Sequence, residues 1–210
     1  AKSRRKTRAG EKAGFMIVIV DYSVGNVGSI LNMLRKIGAK ARLGSVAEDI
    51  RAADKLILPG IGHFGHGMAK LQQTGLMPLL REEALARRKP FLGICLGMQM
   101  MTRGSEESET PGLGWIRAAT HRFAEGPSLR VPHVGWNSVK PGHPARLFDQ
   151  HPGEPERFYF VHSYFVRTDD PNHTAATCLY GADFAASFEV DNLFGVQFHP
   201  EKSHQFGMRL

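Results

Sequence analysis

Short apolar runs recur through the first half of the chain and predict buried strands. They occupy residues 15–20, 40–43, 53–58 and 91–94. Runs of this length are typical of parallel strands that are covered on both faces. Pro59 and Gly60 follow the third run directly, as turn-forming residues at the end of a strand.

Amphipathic segments between these runs predict helices. Residues 27–37 carry apolar side chains at helical spacing, and Gly38 follows as a residue that commonly ends helices. Residues 82–88 close a charged helix, and residues 96–101 form the first turns of another. Because strands alternate with helices, we predict an α/β fold: a three-layer, open, mostly parallel sheet with helices on both faces.

The second half of the chain has a different pattern, which predicts an added antiparallel β section. Short β-rich segments separated by turns occupy residues 116–123, 158–161, 164–166, 174–179, 185–190 and 193–198. Residues 105–114 are acidic and contain Gly and Pro, so we predict a surface loop there. No repeat or low-complexity linker divides the chain, and we expect one domain over residues 15–210.

The positive charge of the chain is concentrated at its start. The formal net charge is +7, from 27 basic and 20 acidic residues. Residues 1–14 hold six basic side chains and one acidic one, a net charge of +5, which leaves +2 for the rest. We interpret residues 1–14 as a basic N-terminal tail outside the fold, and we expect no nucleic-acid partner.

The composition of the chain argues against a membrane protein, a secreted protein and a metalloprotein. No apolar stretch reaches membrane-spanning length, and the first residues lack the apolar core of a secretory signal. Two distant cysteines suit a reducing cytoplasm better than a disulfide framework. His63 and His66 lie three residues apart without a third ligand nearby, so we expect no metal site and no cofactor.

Cys95 lies in the segment with the clearest chemistry. It directly follows the apolar run at residues 91–94 and precedes a predicted helix, with Gly93 and Gly97 two residues away on each side. This Gly-x-Cys-x-Gly pattern is a strand–nucleophile–helix elbow with Cys in place of Ser, in which the backbone passes close on both sides. A thiol at the start of a helix is favoured as thiolate.

A base and an acid follow the last apolar strand of the chain. Residues 194–198 lead to His199, and Glu201 is two residues further on. In extended chain these two side chains point to the same side, and Pro200 would hold the backbone extended. We therefore predict a triad in which Glu201 orients His199, and His199 accepts the proton of Cys95.

The two segments together resemble the class I glutamine amidotransferases, which use such a triad. They read Gly93-Ile94-Cys95-Leu96-Gly97-Met98-Gln99 and Phe198-His199-Pro200-Glu201-Lys202-Ser203. Four further stretches are similar to the glutaminase subunits of imidazole glycerol phosphate synthases. These begin at Asp21, Pro59, Pro132 and Tyr159. Ser23 stands where that family commonly has Gly, and we expect the loop to tolerate this residue only if its φ is negative.

The resemblance implies a glutaminase that passes ammonia to a (β/α)8 barrel synthase subunit in a heterodimer. That pair of subunits forms imidazole glycerol phosphate and an aminoimidazole carboxamide ribotide in histidine biosynthesis. Glutamine would be held by Gly60, Gln99, Ser163 and Tyr164, and the barrel would contact Asn26, Tyr159 and Lys202. Backbone N–H groups of Leu96 and Gly62 would form the oxyanion hole, for which the glycines of residues 60–65 leave the backbone unshielded.

Some alternatives stay open at the level of sequence. The chain could serve another acceptor pathway, such as those of anthranilate or pyridoxal phosphate, or it could be a non-catalytic glutamine-binding scaffold. A general cysteine protease or a γ-glutamyl hydrolase is a further alternative. We also hypothesise that the Pro59–Gly62 segment, residues 59–62, rests with a carbonyl in the oxyanion site and switches when the partner binds acceptor ligand.

Overall fold

The computed structural model describes residues 15–126, 129–142, 145–148 and 156–210. The basic segment at residues 1–14, which we interpreted as a tail, lies outside the described residues. Within them, the strands join into one thirteen-stranded sheet. In chain order they are β1 Met16–Val20, β2 Lys40–Gly44, β3 Lys55–Leu58, β4 Phe91–Ile94, β5 Gly104–Ser105, β6 Ser108–Pro111, β7 Ala118–Arg122, β8 His133–Pro141, β9 Glu156–His162, β10 Tyr164–Thr168, β11 Thr174–Tyr180, β12 Ala182–Val190 and β13 Leu193–Val196.

The helices are short and most of them lie in the first half of the chain. They are α1 Val27–Lys36, α2 Ala47–Ala52, α3 Phe64–Gln73, α4 Met77–Arg81, α5 Leu96–Met100 and α6 His204–Arg209. A π-helical turn at Glu82–Ala86 continues α4, and 3-10 turns lie at Pro171–His173 and Pro200–Lys202. The helix predicted at residues 82–88 is therefore a single widened turn.

The sheet changes from parallel to antiparallel across β13. Strands β2, β1, β3, β4 and β13 lie side by side in that order, and all their pairings are parallel. Beyond β13, the pairings with β12, β10 and β7 are antiparallel, and β11, β8 and β9 extend from β12 in the same way. The predicted fold class, a parallel α/β sheet with an added antiparallel section, is confirmed.

Both faces of the inner parallel strands β1, β3 and β4 and of β13 are largely buried, which explains their continuous apolar sequences. In β1, Val18 and Val20 belong to a core cluster that also contains Ile50 of α2 and Leu71 of α3. Ile19 faces the opposite cluster, which contains Ile30 and Leu34 of α1. Side chains alternate between the faces of a strand, so a strand between two helical layers is apolar at successive positions.

Strand register brings the reactive loops to one edge of the sheet. Ile94 at the end of β4 pairs with Val196 at the end of β13, and Cys95 N–H donates to the Val196 carbonyl at 2.8 Å. On the other side of β4, Gly93 pairs with Leu58, the last residue of β3. The loops that follow β3, β4 and β13 therefore meet at the carboxyl ends of these strands.

Two parts of the sheet differ from the sequence prediction. Residues 105–114 are not a loop throughout, because β5 and β6 form an antiparallel hairpin that joins the sheet through the pairing of Ser105 with Thr120, and irregular structure is left at residues 112–114. Strand β8 was not predicted, since Gly135 (φ +126°) interrupts a sequence with little apolar alternation. Pairing with β9 and β11 forms this strand in spite of its weak local pattern.

Ser23 also differs from its expected geometry. Its φ is +65°, in the left-handed region, and not negative as the sequence comparison led us to expect. The carboxylate of Asp21 accepts a hydrogen bond from Ser23 N–H at 3.1 Å. This local bond holds a turn at a residue that carries a side chain.

Candidate active site

Cys95 adopts the strained backbone of an elbow between β4 and α5. Its φ of +52° and ψ of −109° are rare for a residue other than Gly. The flanking glycines are required by close packing: a Cβ on Gly97 would lie 1.9 Å from the Leu58 carbonyl oxygen, and one on Gly93 would lie 2.7 Å from Met98 N. The elbow therefore brings α5 against the ends of β3 and β4, as the spacing predicted.

His199 and Glu201 form a buried pair beside this elbow. His199 Nδ1 and Glu201 Oε1 are 2.9 Å apart, and each side chain is 1% exposed. The backbone between them is not extended as predicted, because Pro200–Lys202 is a 3-10 turn. Ser203 Oγ holds this turn by donating to the His199 carbonyl at 2.6 Å and accepting from Tyr159 N–H at 3.0 Å.

The charge state of His199 is set by its neighbours. Burial by itself would lower the pKa of His199, but the Cys95 thiol side chain and the Glu201 carboxylate outweigh burial and raise this pKa to about 10. With Nδ1 paired to Glu201, the buried Nε2 of His199 has no hydrogen-bond partner among the described residues. Such an imidazole can hold a proton beside a thiolate and later release it from Nε2.

A cavity of about 510 Å³ opens over Cys95 and collects most of the predicted site residues. Its lining includes two of the three predicted triad residues and most of the predicted substrate and oxyanion residues: Cys95, His199, Leu96, Gly62, Gln99, Ser163 and Tyr164. Gly60 does not line it and packs behind, where an added Cβ would lie 2.8 Å from Gly97 N. The predicted contact of Gly60 with the substrate therefore stays a prediction.

The loop opposite Cys95 is held at its ends and free in its middle. Tyr22 Oη donates to the Pro59 carbonyl at 2.6 Å, and the carboxylate of Glu107 accepts from Phe64 N–H at 2.7 Å. Between these anchors, the backbones of Ile61 and Gly62 make no hydrogen bond to any residue that the structure describes. Burial, with the nearby Cys95 as a second cause, raises the pKa of the Tyr22 hydroxyl and keeps it a neutral donor.

Gln99 is buried and its amide is directed into the protein. Gln99 Nε2 donates to the Tyr164 carbonyl and to Gln197 Oε1, both at 3.0 Å. Gln197 Nε2 in turn donates to Cys95 Sγ at 3.7 Å. Gln99 thus links the segment at Tyr164 to the neighbourhood of the sulfur, in addition to lining the cavity.

A pair of buried histidines lies behind Tyr164. His162 Nδ1 is 2.8 Å from the Tyr164 carbonyl oxygen, and His162 Nε2 is 3.0 Å from His133 Nδ1. Burial lowers the pKa of His133 to about 4 and that of His162 to about 3. Both rings are therefore neutral at physiological pH.

Three of these residues were missed at the level of sequence. Glu107 lies in the segment predicted to be a surface loop, and the β5–β6 hairpin brings it to the cavity. Gln197 could have been found as a lone polar residue inside the apolar run that leads to His199. His162 immediately precedes the predicted Ser163 and Tyr164, but no local signal shows that it faces another histidine.

Of the three predicted partner residues, Lys202 lines this cavity, whereas Asn26 and Tyr159 are not among its lining residues. Asn26 is exposed at the start of α1. Lys202 is exposed, and its ammonium group lies 5.8 Å from the centre of the Tyr159 ring. Lys202 lines both the active-site cavity and a second depression of about 520 Å³ beside α1 and α6.

The described residues contain neither a metal-binding cluster nor a membrane-spanning helix. No group of three or more His, Cys, Asp or Glu side chains in these parts of the chain could hold a metal ion. None of the described helices is long and apolar enough to cross a membrane.

Comparison with known proteins is consistent with this geometry. The family model for glutamine amidotransferase class-I matches residues 18–208. The chain is 50% identical over 200 residues to imidazole glycerol phosphate synthase subunit HisH 2 of Pseudomonas aeruginosa, with 93% of this chain and 96% of that protein covered. It is 47% identical over 195 residues to the HisH 2 subunit of Methanococcus maripaludis, with the same coverage of both chains.

Comparison with solved structures supports the fold alone. A crystal structure of a glutamine amidotransferase superposes with a TM-score of 0.71 at 18% identity, covering 91% of this chain and 93% of the other. The structure of PurLQS from Thermotoga maritima superposes with a TM-score of 0.72 at 18% identity, with 93% and 95% covered.

Proposed function

The chain belongs to the class I glutamine amidotransferases and, within them, to the HisH subunits of imidazole glycerol phosphate synthase, and we propose that Cys95, His199 and Glu201 carry out its hydrolysis of L-glutamine to glutamate and ammonia. As a member of this family, the chain is a glutaminase subunit of histidine biosynthesis. The observation that carries the residue assignment is the cavity in which a strained elbow presents Cys95 beside the buried pair of His199 and Glu201.

The first half of the reaction forms a thioester. The Cys95 thiolate attacks the side-chain amide carbon of glutamine, and the N–H groups of Leu96 and Gly62 stabilise the oxyanion. His199, charged because of its raised pKa, protonates the departing amine, so that ammonia leaves and Sγ remains bonded to the acyl carbon. Among the described residues no hydrogen bond uses either N–H group, so both are available.

The second half regenerates the enzyme. His199, now neutral, accepts a proton from water, and the hydroxide attacks the thioester carbon. Collapse of the second tetrahedral intermediate releases glutamate and leaves the electron pair on Sγ. Glu201 takes no proton and keeps the imidazole of His199 oriented through both steps.

The amino-acid end of glutamine fits the other end of the cavity. Glu107 is the acidic side chain in the cavity lining formed by the described residues, so we assign it the α-ammonium group. Backbone groups of Ser163 and Tyr164 would bind the α-carboxylate end and orient the side chain toward Cys95. Gln99 would help to hold the substrate by fixing the segment at Tyr164, because its Nε2 donates to the Tyr164 carbonyl.

We assign the ammonia to a (β/α)8 barrel synthase subunit that binds around Asn26, Tyr159 and Lys202. The HisH relatives are named as subunits of a synthase, which implies a second subunit. Lys202 borders both the active-site cavity and the depression beside α1, so a partner bound there would reach the mouth of the site. Ammonia that escapes to neutral solution is protonated to ammonium, which is not a nucleophile, so enclosure by a partner preserves its reactivity.

Glutamine hydrolysis by defined assemblies tests this function. The rate should be measured for the isolated chain, for its complex with the barrel subunit, and for the complex with acceptor ligand. If the loop at Gly62 must turn an N–H toward the oxyanion, activation should reach about 100- to 1000-fold, the cost of a missing oxyanion donor. Equal rates in all three states would exclude the switch.

Two cysteine variants control that measurement. Cys95→Ser should abolish hydrolysis in every assembly without loss of partner binding, because Ser lacks thiolate character at similar size. Cys178→Ala, in the buried strand β11, should leave the rate within about twofold, far below the tenfold that corresponds to about 1.4 kcal/mol of barrier. Activity of Cys95→Ser within about tenfold of wild type would contradict the assignment of the nucleophile.

A further inference from the structure

Gln197 is a fully buried amide that the mechanism above does not use. It lies one residue beyond β13 and is 0% exposed. Its backbone N–H donates to the Ala186 carbonyl of β12 at 2.9 Å, which fixes the main chain. Its side chain lies between Gln99 and Cys95, with Nε2 3.7 Å from Sγ and Oε1 3.0 Å from Gln99 Nε2.

The orientation of the Gln197 amide follows from a single carbonyl group. The main-chain oxygen of Tyr164 can only accept hydrogen bonds, so the Gln99 atom 3.0 Å away must be the amide nitrogen. The same nitrogen reaches Gln197, which must therefore present its oxygen to Gln99. Gln197 is left with its N–H group toward Cys95 Sγ.

The Tyr164 carbonyl also accepts a second hydrogen bond, from His162. His162 must donate to it from Nδ1, which leaves His162 Nε2 to accept from His133 Nδ1–H. Asn137 Nδ2 donates to His133 Nε2 at 3.2 Å and completes the chain of donors. All of these rings stay neutral because burial lowers the pKa values of His133 and His162.

We propose that Gln197 is a further catalytic residue of the glutaminase, whose side-chain N–H donates a hydrogen bond to Cys95 Sγ and stabilises the thiolate. The inference rests on the proposed function. A hydrogen bond to the charged form of a group favours that form, and in a buried site the effect is large.

An uncharged donor keeps its N–H through the whole reaction, whereas His199 gives its proton to ammonia and regains one from water before the thiolate departs. His199 loses its proton to the departing ammonia and is neutral while the thioester exists. When the second tetrahedral intermediate collapses, the C–S bond breaks and its electron pair returns to Sγ. Gln197 transfers no proton at any step, so its N–H is available both to the attacking thiolate and to the departing one.

Other ionisable groups line the cavity over the thiol or lie next to its neighbours, and a substitution of Gln197 does not remove any of them. They come from the loop after β1, the loop after β3, the β5–β6 hairpin, the end of β9, the start of β10 and the turn after β13: Tyr22, His63, Glu107, His162, Tyr164, His199, Glu201 and Lys202. A change in thiolate formation when Gln197 is replaced by an uncharged residue would therefore report the amide donor.

Alkylation of Cys95 by iodoacetamide tests the proposal directly. The rate should be measured from pH 5 to 10 on the full chain carrying Cys178→Ala, with labelling at Cys95 verified by peptide mass spectrometry. Gln197→Glu keeps an oxygen for Gln99 but offers no donor to sulfur. We expect its alkylation to be about tenfold slower at pH 7 and its midpoint about one pH unit higher.

Two further variants make the result decisive. Gln197→Met removes the donor without adding charge and should shift the midpoint in the same direction, so it decides the matter if Gln197→Glu does not fold. Gln73→Glu makes the same chemical change at an exposed position of α3 and should leave the profile unchanged. Profiles of the folded Gln197 variants that superimpose on wild type would overturn the proposal.

Steady-state kinetics separate this inference from the function on which it rests. In the complex with the barrel subunit, Gln197→Glu should lower kcat for glutamine by about tenfold or more and change KM little. If the wild-type complex does not hydrolyse glutamine, the proposed function fails while the alkylation profile still tests Gln197. If wild type hydrolyses glutamine and both Gln197 variants match its kcat and its alkylation profile, only the role of Gln197 is wrong.

Discussion

The two walls of the active-site cavity are built in opposite ways. On the nucleophile wall, Cys95 is 6% exposed and the His199 side chain 1%, and backbone bonds join these residues to β13 and β9. On the oxyanion wall, Ile61 is 45% exposed and Gly62 has a φ of +86° with no atom near its missing Cβ. Hydrogen bonds hold that loop at its two ends, at Pro59 and Phe64, and within the described residues none reaches the backbone of Ile61 or Gly62.

This difference assigns the chemical steps to the packed wall and their regulation to the loop at residues 61–62. Groups that must meet a transition state within a few tenths of an ångström are best fixed by packing before the substrate arrives. A loop whose backbone N–H groups are free between two anchors can change orientation without disturbing the nucleophile. A partner acting on residues 61–62 could therefore switch the reaction while the Cys95 elbow stays as it is.

Changes to the nucleophile wall should have the largest effect. His199→Ala removes the base and acid and should lower kcat by about 10⁴-fold or more, nearly as much as loss of Cys95, because triad members act as a unit. Glu201→Gln keeps the imidazole and disturbs only its orientation and charge, so its loss of kcat should be smaller by at least about tenfold. Rates of glutamine hydrolysis in the activated complex provide the measurement.

The graded order is the part of that prediction that can fail. If Glu201→Gln proved more damaging than His199→Ala, the roles of the two residues would need to be reassigned. Far-UV circular dichroism of each variant provides the control for folding.

A matched pair of glycine substitutions compares the stability of the two walls. Gly97→Ala places a Cβ 1.9 Å from the Leu58 carbonyl oxygen, so backbone must move, and we expect a loss of about 3 kcal/mol in the free energy of unfolding. Gly62→Ala meets no atom and has only its positive φ to overcome, at about 1 kcal/mol. Urea unfolding of both variants measures the difference.

Similar losses for the two glycine variants would remove the contrast between the walls. Gly62→Ala should nevertheless alter activation by the partner, since it restricts the loop that we expect to switch. Gly28, exposed on α1 with nothing near its Cβ position, provides a control substitution to Ala.

The last predicted effect concerns acid and the histidines behind the nucleophile wall. The folded-state pKa values of His133 (about 4) and His162 (about 3) lie below the ordinary value of 6.5. Below pH 6.5 the unfolded chain therefore binds protons that the native state does not bind. The free energy of unfolding falls as the pH decreases toward 4. His199 has a raised pKa and acts oppositely, adding stability below pH 6.5 that is lost as the pH rises toward about 10.

His133→Gln removes one of these groups and tests the sign. Between pH 7 and pH 5, its free energy of unfolding should fall less than that of wild type, by about 1–2 kcal/mol. His66→Gln, at an exposed position of α3, should follow the wild-type curve. A steeper decline for His133→Gln would show that the native state binds a proton at this pair.

The sequence alone determined the elements whose signals are local. The Gly-x-Cys-x-Gly spacing predicted the elbow, and the apolar runs predicted β1, β3, β4 and β13 within a few residues. The proximity of His199 and Glu201 was predicted from an extended backbone, and it also holds in the 3-10 turn because two residues of chain cannot separate them far. Local patterns suffice here because a buried parallel strand and a sharp turn each restrict the residue types that fit.

Only the tertiary structure decided the contacts made across the sheet. Glu107 enters the cavity because its hairpin joins the sheet at Thr120, and β8 forms because β9 and β11 pair with it. The amide of Gln197 turns toward Cys95 because a carbonyl 33 residues away in sequence, at Tyr164, can only accept hydrogen bonds. Such contacts depend on strand register between distant segments, and no periodicity within either segment records which donor will face which acceptor.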